Sequence, residues 1–300
     1  MSTEKINSNL LAQLDRLFRH NRQGSYKTRQ RYYEAMKRFC RFLAEHYRTE
    51  KLANIGAKHI DAYSNYMKAK GLSPSTIKTD LAAVRFWHDQ IPNAKNRLPT
   101  NSSLKLERRT FGRVDRTWSN AEFNKMIGVC WKYDHEDYVA MLCLARYAGL
   151  RIHECFRIDT ATAEDAIRKM AITIKGKGGK IRTVPIQDSI RIELEKMIAV
   201  TKRGRKLFVP DGVRTDCVIR DLQQFIIEHR DEVRDQDSDR PMTFHGLRHL
   251  YAAEQYSLLV GKGYSETQAS KQVSLWLGHE REEITRIYLA SLRKDGGGDV

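Results

Sequence analysis

Late in the chain stands His245-Gly246-Leu247-Arg248-His249, two imidazoles and a guanidinium close together in sequence. The apolar, helix-favouring Leu250-Tyr251-Ala252-Ala253 that follows predicts a helix. Positions three and four apart share a helix face, so His245, Arg248 and His249 are expected side by side. Two histidines at i and i+4 are a common zinc ligand pair. Against zinc, Gly246 stands where a zinc-protease helix carries its glutamate, and Arg248 places a cation between the ligands. A histidine beside an arginine suits an anion better, because the arginine offers two parallel donors and the imidazole handles a proton.

A second arginine lies in Gly149-Leu150-Arg151-Ile152-His153-Glu154, directly after an apolar stretch that ends at Ala148. Arginine at such a boundary is often a surface residue. Here Glu154, three residues on, is spaced to orient it. Lys177 stands between Gly176 and Gly178, where missing side chains let the backbone approach a ligand, although an ordinary basic turn reads equally well. The spacing does not fit the nucleotide-binding P-loop. Last come Leu277-Gly278-His279-Glu280 and Thr285-Arg286-Ile287-Tyr288-Leu289. A lone helical tyrosine is usually core, but two arginines, a lysine and two histidines together make a cationic set that binds a phosphodiester. Such a set also favours phenolate, lowering a phenol's pKa from about 10. Fixed guanidinium groups in a dry site can neutralise the charge of phosphoryl transfer by themselves. No metal and no other cofactor is expected.

The elements that must position these residues fall into two groups. The chain has 300 residues, enough for two domains, and its 53 Lys plus Arg against 37 Asp plus Glu leave a net charge of +16. A basic surface gains affinity for DNA by displacing condensed counterions, although charge alone also fits a soluble protein that is merely basic. Between Ser25 and Tyr47, apolar residues recur at helical spacing with Lys27, Arg31, Lys37, Arg38 and Arg41 on other faces. A stretch around Ile60, Tyr63 and Met67 ends at Gly71, and Ser73-Pro74 opens a helix whose face is Ile77, Leu81, Val84, His88 and Ile91. Pro92 to Arg116 is polar and basic, which predicts a linker. Ser119 with Glu122 predicts a capping box, and helical periodicity returns from Asp137 to Ala148. Ala171 to Ile174 and Ile181 to Pro185 read as a hairpin with Lys177 at its tip. Gly261 to Ser265 reads as a polar insertion, and Gly296-Gly297-Gly298 as a disordered end.

Cys40, Cys130, Cys143, Cys155 and Cys217 are odd in number and never in a Cys-x-x-Cys pair. They read as reduced core residues of a cytoplasmic protein. The start lacks a secretory apolar stretch, and no apolar run approaches the ~18 residues of a membrane span.

Arg151 with Glu154, the glycine-flanked hairpin lysine, His245-x-x-Arg248, Leu277-Gly278-His279 and Tyr288 together resemble the tyrosine recombinase (phage integrase) family, in order and along nearly the whole chain. The resemblance implies a mainly α fold with a small β-sheet. Residues 1–95 would be a helical, SAM-like core-binding domain, 96–112 a basic linker, and 113–300 a mixed α/β catalytic domain. It implies that Arg151 and Arg248 clamp the scissile phosphate with His279 as a further donor. Lys177 would protonate the leaving 5′ oxygen, His245 would assist at the nucleophile, Tyr288 would attack phosphorus, and Glu154 and His249 would support them. The implied partners are double-stranded DNA at specific sites and further copies of the chain, a dimer on each site and a tetramer in the synapse. An accessory DNA-bending or directionality protein would join them on the nucleoid. A type IB topoisomerase, a catalytically silent DNA-binding regulator and a zinc hydrolase using His245 and His249 are the competing readings.

Overall fold

The computed structural model describes residues 2–107, 115–176 and 179–278. The expectations placed on Lys177, His279, Tyr288 and Gly296 to Gly298 therefore lie outside the described residues. The chain divides into two compact units, Met1–Thr110 and Phe111–Val300.

The first unit is helical: α1 (Thr3–His20), α2 (Tyr26–His46), α3 (Ala57–Ala69) and α4 (Pro74–His88), with a 3-10 turn at Leu52–Asn54. Side-chain oxygens of Ser2, Ser25 and Ser73 cap α1, α2 and α4, accepting the backbone N–H three residues on. Helix α1 buries Ile6, Leu10 and Leu14, a four-residue spacing that places them on one face against α2. Phe39, Leu43, Ile60, Tyr63, Leu81 and Trp87 fill the space between the helices. Ile91 lies beyond the end of α4 and is only partly buried, so the helical face read through it stops at His88.

Residues just past this unit's last helix are fastened to it. The Lys95 N–H donates to the Ala53 carbonyl at 3.1 Å, and Asn96 Nδ2 donates to that of Ile55 at 3.0 Å. Arg85 donates to the Pro99 carbonyl at 2.7 Å and to Asn101 Oδ1 at 2.8 Å. Leu98 is buried, and Leu104 and Leu106 pack on the same core. The polar composition of this stretch conceals three well-spaced leucines.

The second unit runs α5 (Asn120–Lys132), α6 (Glu136–Ala148), α7 (Ile152–Cys155), α8 (Thr160–Lys169), β1 (Ala171–Lys175), β2 (Ile181–Pro185), α9 (Asp188–Val200), α10 (Thr215–Val233), α11 (Phe244–Gly261) and α12 (Glu266–Leu277). Among the described residues the fold is thus mainly α with one small antiparallel sheet, in which Ile172 faces Val184 and Ile174 faces Arg182. Helix α6 is buried along most of its length, with α5, α9 and α11 packed around it. Arg146 of α6 forks onto the Glu254 carboxylate of α11, one bond at 2.6 Å, and so fixes the two helices lengthwise. The Ser119–Glu122 capping box is formed, with bonds of 2.7 and 3.0 Å. Gly261 to Ser265 joins two helices in the fold. Helix α11 continues to Gly261, Gly263 turns the chain at φ +88°, and Ser265 caps α12.

Cys40, Cys130, Cys143 and Cys155 are buried thiols, while Cys217 is only half-buried on α10, which corrects the expectation that all five are core. Among the described residues, no helix is long and apolar enough to cross a membrane.

Candidate active site

Helix α6 must stop where α11 crosses it. Gly149 ends it at φ +62°, and a Cβ there would lie 2.5 Å from the Tyr251 ring of α11, so both conformation and space demand glycine. Two residues on, Arg151 caps α7. Glu154, the third residue of that short helix, turns its carboxylate back: Oε2 accepts the Arg151 backbone N–H at 2.8 Å, and Oε1 accepts from Arg151 Nη1 at 3.0 Å. The orienting contact expected between these two residues is present.

Glu154 is wholly buried and has a second cation that the sequence reading missed. Arg182 of β2 donates from Nη1 to Oε1 at 2.9 Å and from Nη2 to Oε2 at 2.7 Å. Burial would raise the carboxyl pKa. The bonds and charge of Arg182, with those of Arg151, overcome it and hold Glu154 down at about 2. The signal for Arg182 was strand alternation: on β2, Arg182 and Val184 share the inward face while Ile181 and Thr183 are exposed. A charged residue at an inward position needs a buried partner.

Arg248 is also wholly buried. One arm of its guanidinium donates to the Gly149 carbonyl, and Nη2 donates to that of Leu277 at 2.5 Å. It therefore joins the turn leading to Arg151 with the turn leading to His279. Its neighbours His245 and His249 are side by side as the helical spacing required, ring centroids 5.3 Å apart and planes nearly perpendicular. His249 is buried, which pushes its pKa down to about 3, with further lowering from the neighbouring His245 and Arg116. His245 keeps a solvent-facing edge, yet protein packed against the ring, then the charges of Arg248, Arg151 and Arg116, take it down to about 4. Both imidazoles are neutral at pH 7.

The start of α11 is held by Trp118, whose indole N–H donates to the Thr243 carbonyl at 3.0 Å. A Cβ on Gly246 would sit 2.3 Å from the Arg116 carbonyl oxygen and 2.6 Å from Trp118. Close packing thus explains the glycine where a zinc-protease helix has its glutamate. Beside Arg151 and His245 opens a cavity of about 470 Å³, walled further by Ile226, Met242 and Phe244. Gly176, the residue before Lys177, is buried, and a Cβ there would stand 3.3 Å from Arg182 Nη1 and 3.4 Å from Glu154 Oε1. The base of the hairpin tip thus rests on the same ion group. Among the described residues, no group of three His, Cys, Asp or Glu is placed to hold a metal ion.

With this geometry in place, comparison with known proteins is decisive. Residues 118–294 match the phage integrase family, and residues 10–95 match the phage integrase N-terminal SAM-like domain. The chain belongs to the phage integrase family. As a member it is a tyrosine recombinase, an enzyme of DNA recombination. Tyrosine recombinase XerD of Caulobacter vibrioides is 26% identical over 250 residues, which cover 79% of this chain and 77% of that protein. The integrase of Escherichia phage P2 is 26% identical over 231 residues, 76% of this chain and 59% of the phage protein. Among solved structures, a lambda integrase dimer bound to a COC′ core site is similar with a TM-score of 0.65 and 17% identity, covering 99% of this chain and 83% of that one. A Tn1549 transposon integrase in complex with transposon right end DNA gives 0.60 at 14% identity, covering 95% and 98%. At such identities these two likenesses speak for the shared fold.

Proposed function

We propose that this tyrosine recombinase is a site-specific integrase that cuts and rejoins double-stranded DNA through a 3′-phosphotyrosine intermediate, serving the integration or excision of a mobile element. The observation that carries the reading is the bond pair of Arg248, which draws the approaches to Arg151 and His279 together beside His245. In this reading, Arg151 and Arg248 bind the non-bridging oxygens of the scissile phosphate, with His279 as a third donor. A guanidinium has five N–H donors in a fixed fork, so Arg248 can serve both the two carbonyls and a phosphate. The Tyr288 oxygen attacks phosphorus, and the bond to the 5′ oxygen breaks. The phenolic proton passes to His245, which is neutral and able to accept it. Lys177 gives a proton to the departing 5′ oxygen. Glu154 orients Arg151, and His249 packs behind His245 as a neutral support. The phosphotyrosyl ester conserves the energy of the broken bond, so a 5′ hydroxyl can reseal the strand without a nucleotide cofactor.

The helical unit, 1–95 with the segment packed onto it, would grip the DNA together with the catalytic part from 113 onward. Dimers on one site and a tetramer at the synapse fit the lambda integrase structures, which show a dimer on a core site and a tetramer bound to a Holliday junction. The test is Tyr288→Phe, which removes only the nucleophilic oxygen. On a denaturing gel, the unaltered protein should become joined to a labelled 3′ phosphate and Tyr288→Phe should not, while DNA binding stays nearly intact. An adduct with Tyr288→Phe would reject the nucleophile assignment.

A further inference from the structure

Arg182 has no part in the chemistry above, yet its side chain, only 8% exposed, touches several of the segments gathered around Glu154. Its two Nη atoms fork onto Glu154, which holds Arg151. Its Nε donates to the Trp276 carbonyl at 2.8 Å, near the end of α12, and a Cβ on Gly278 would come within 3.1 Å of its Cδ. Its Nη1 lies 3.3 Å from where a Cβ on Gly176 would stand. The residues that follow Gly176 and Gly278 are Lys177 and His279.

The charges around Glu154 make this more than a brace. One buried carboxylate faces two guanidinium groups, so the trio carries a net positive charge, and Arg151 is the member with the more exposed side chain, 22% against 8%. Were Arg182 absent, the carboxylate would have Arg151 as its sole counter-ion in this group. A buried anion left with one cation holds it tightly, because little water competes for either charge. Arg151 would then be drawn onto Glu154 and its charge spent there.

We propose that Arg182 is a positioning residue for strand cleavage: by neutralising Glu154 it leaves the Arg151 charge for the scissile phosphate, and by its bond to Trp276 it sets the hairpin base against the end of α12. The proposal rests on the reading of Arg151 as a phosphate ligand. It predicts that Arg182 matters because Glu154 is charged, a dependence that packing alone would not produce.

The experiment is a double-mutant cycle on the full chain, with Arg182→Gln, Glu154→Gln and both together. The probe is a supercoiled plasmid carrying the DNA that flanks the coding sequence. Initial rates of covalent adduct formation are taken at saturating protein, with DNA affinity and melting measured alongside. Arg182→Gln should slow adduct formation about a hundredfold, the scale of a misplaced catalytic group, with little change in affinity. In the Glu154→Gln background the same change should cost less than about tenfold. Equal losses in both backgrounds, or no loss in either, overturn the proposal. If Arg182→Gln does not fold, the double variant is compared with Glu154→Gln alone, and a further hundredfold loss there overturns it equally. Tyr288→Phe runs in parallel: an adduct with that variant is a failure of the catalytic reading, whichever way the cycle comes out.

Discussion

Each proposed catalytic group asks for a distinct test. Lys177 has Lys175 and Lys180 close by in the sequence, so its role needs an experiment that separates a proton donor from a charge. A general acid is needed for a poor leaving group, and a thiolate leaves far more readily than an alkoxide. Lys177→Ala should therefore cut an ordinary phosphodiester much more slowly, but a substrate with a 5′-bridging sulfur at nearly the unaltered rate. Lys175→Ala and Lys180→Ala should show no such selective rescue; if one of them does, the acid is that lysine. The buried imidazoles set a pH limit on the fold. His249 has its pKa pushed from 6.5 down to about 3, so the unfolded chain binds the proton first as pH falls. Stability from this group is complete above pH 6.5 and is lost below it, at up to about 1.4 kcal/mol for each pH unit. His59 and His88, buried in the first unit, shift in the same direction. Glu154 acts lower: its contribution is present above pH 4.5 and is lost as pH falls toward about 2. Thermal melting should thus decline from pH 7 to pH 5, and His249→Gln should flatten that decline. A melting point unchanged over the range would contradict the buried, neutral placement.

Among the elements, those with polar punctuation were legible in the sequence. Ser73-Pro74 and the Ser119–Glu122 pair announce α4 and α5 because each supplies a hydrogen bond or a fixed φ at a defined position. The hairpin was legible from its two β-branched runs. Helix α1 escaped notice although Ile6, Leu10 and Leu14 recur every four residues, since so many polar residues stand between them. Its contribution is testable: Leu10 is fully buried, so Leu10→Ala should destabilise the protein by about 2–5 kcal/mol in chemical denaturation. A loss under about 0.5 kcal/mol, the scale of a surface change, would mean that α1 is not packed as described. The candidate site was legible where local spacing makes the contact, as in Arg151 with Glu154 and His245 with His249. Arg182 and Arg248 were not legible in their full roles, because their partners are carbonyls and carboxylates far along the chain. No spacing rule reaches from Arg182 to Trp276 or from Arg248 to Gly149.

For the molecule as a whole, the +16 balance governs how it meets a polyanion. Basic residues in both units would contact phosphates, and each neutralised phosphate releases condensed counterions. The logarithm of DNA affinity should therefore fall linearly with the logarithm of salt concentration, with a slope of roughly −0.9 per contact. Titration from low to physiological salt measures it, and a slope near zero would remove DNA as the main partner. The bonds made by Arg248 carry a different consequence, one for the time at which a newly made chain becomes dangerous to DNA. They join residues 99 positions apart on one side and 29 on the other. Synthesis at roughly 5–20 residues per second places about 5–20 s between the appearance of Gly149 and that of Arg248 on the ribosome. Only after α12 has followed can the second bond close. The first unit, which has a core of its own, can be folded well before then, so on the proposed reading a nascent chain would touch DNA before it could cut it.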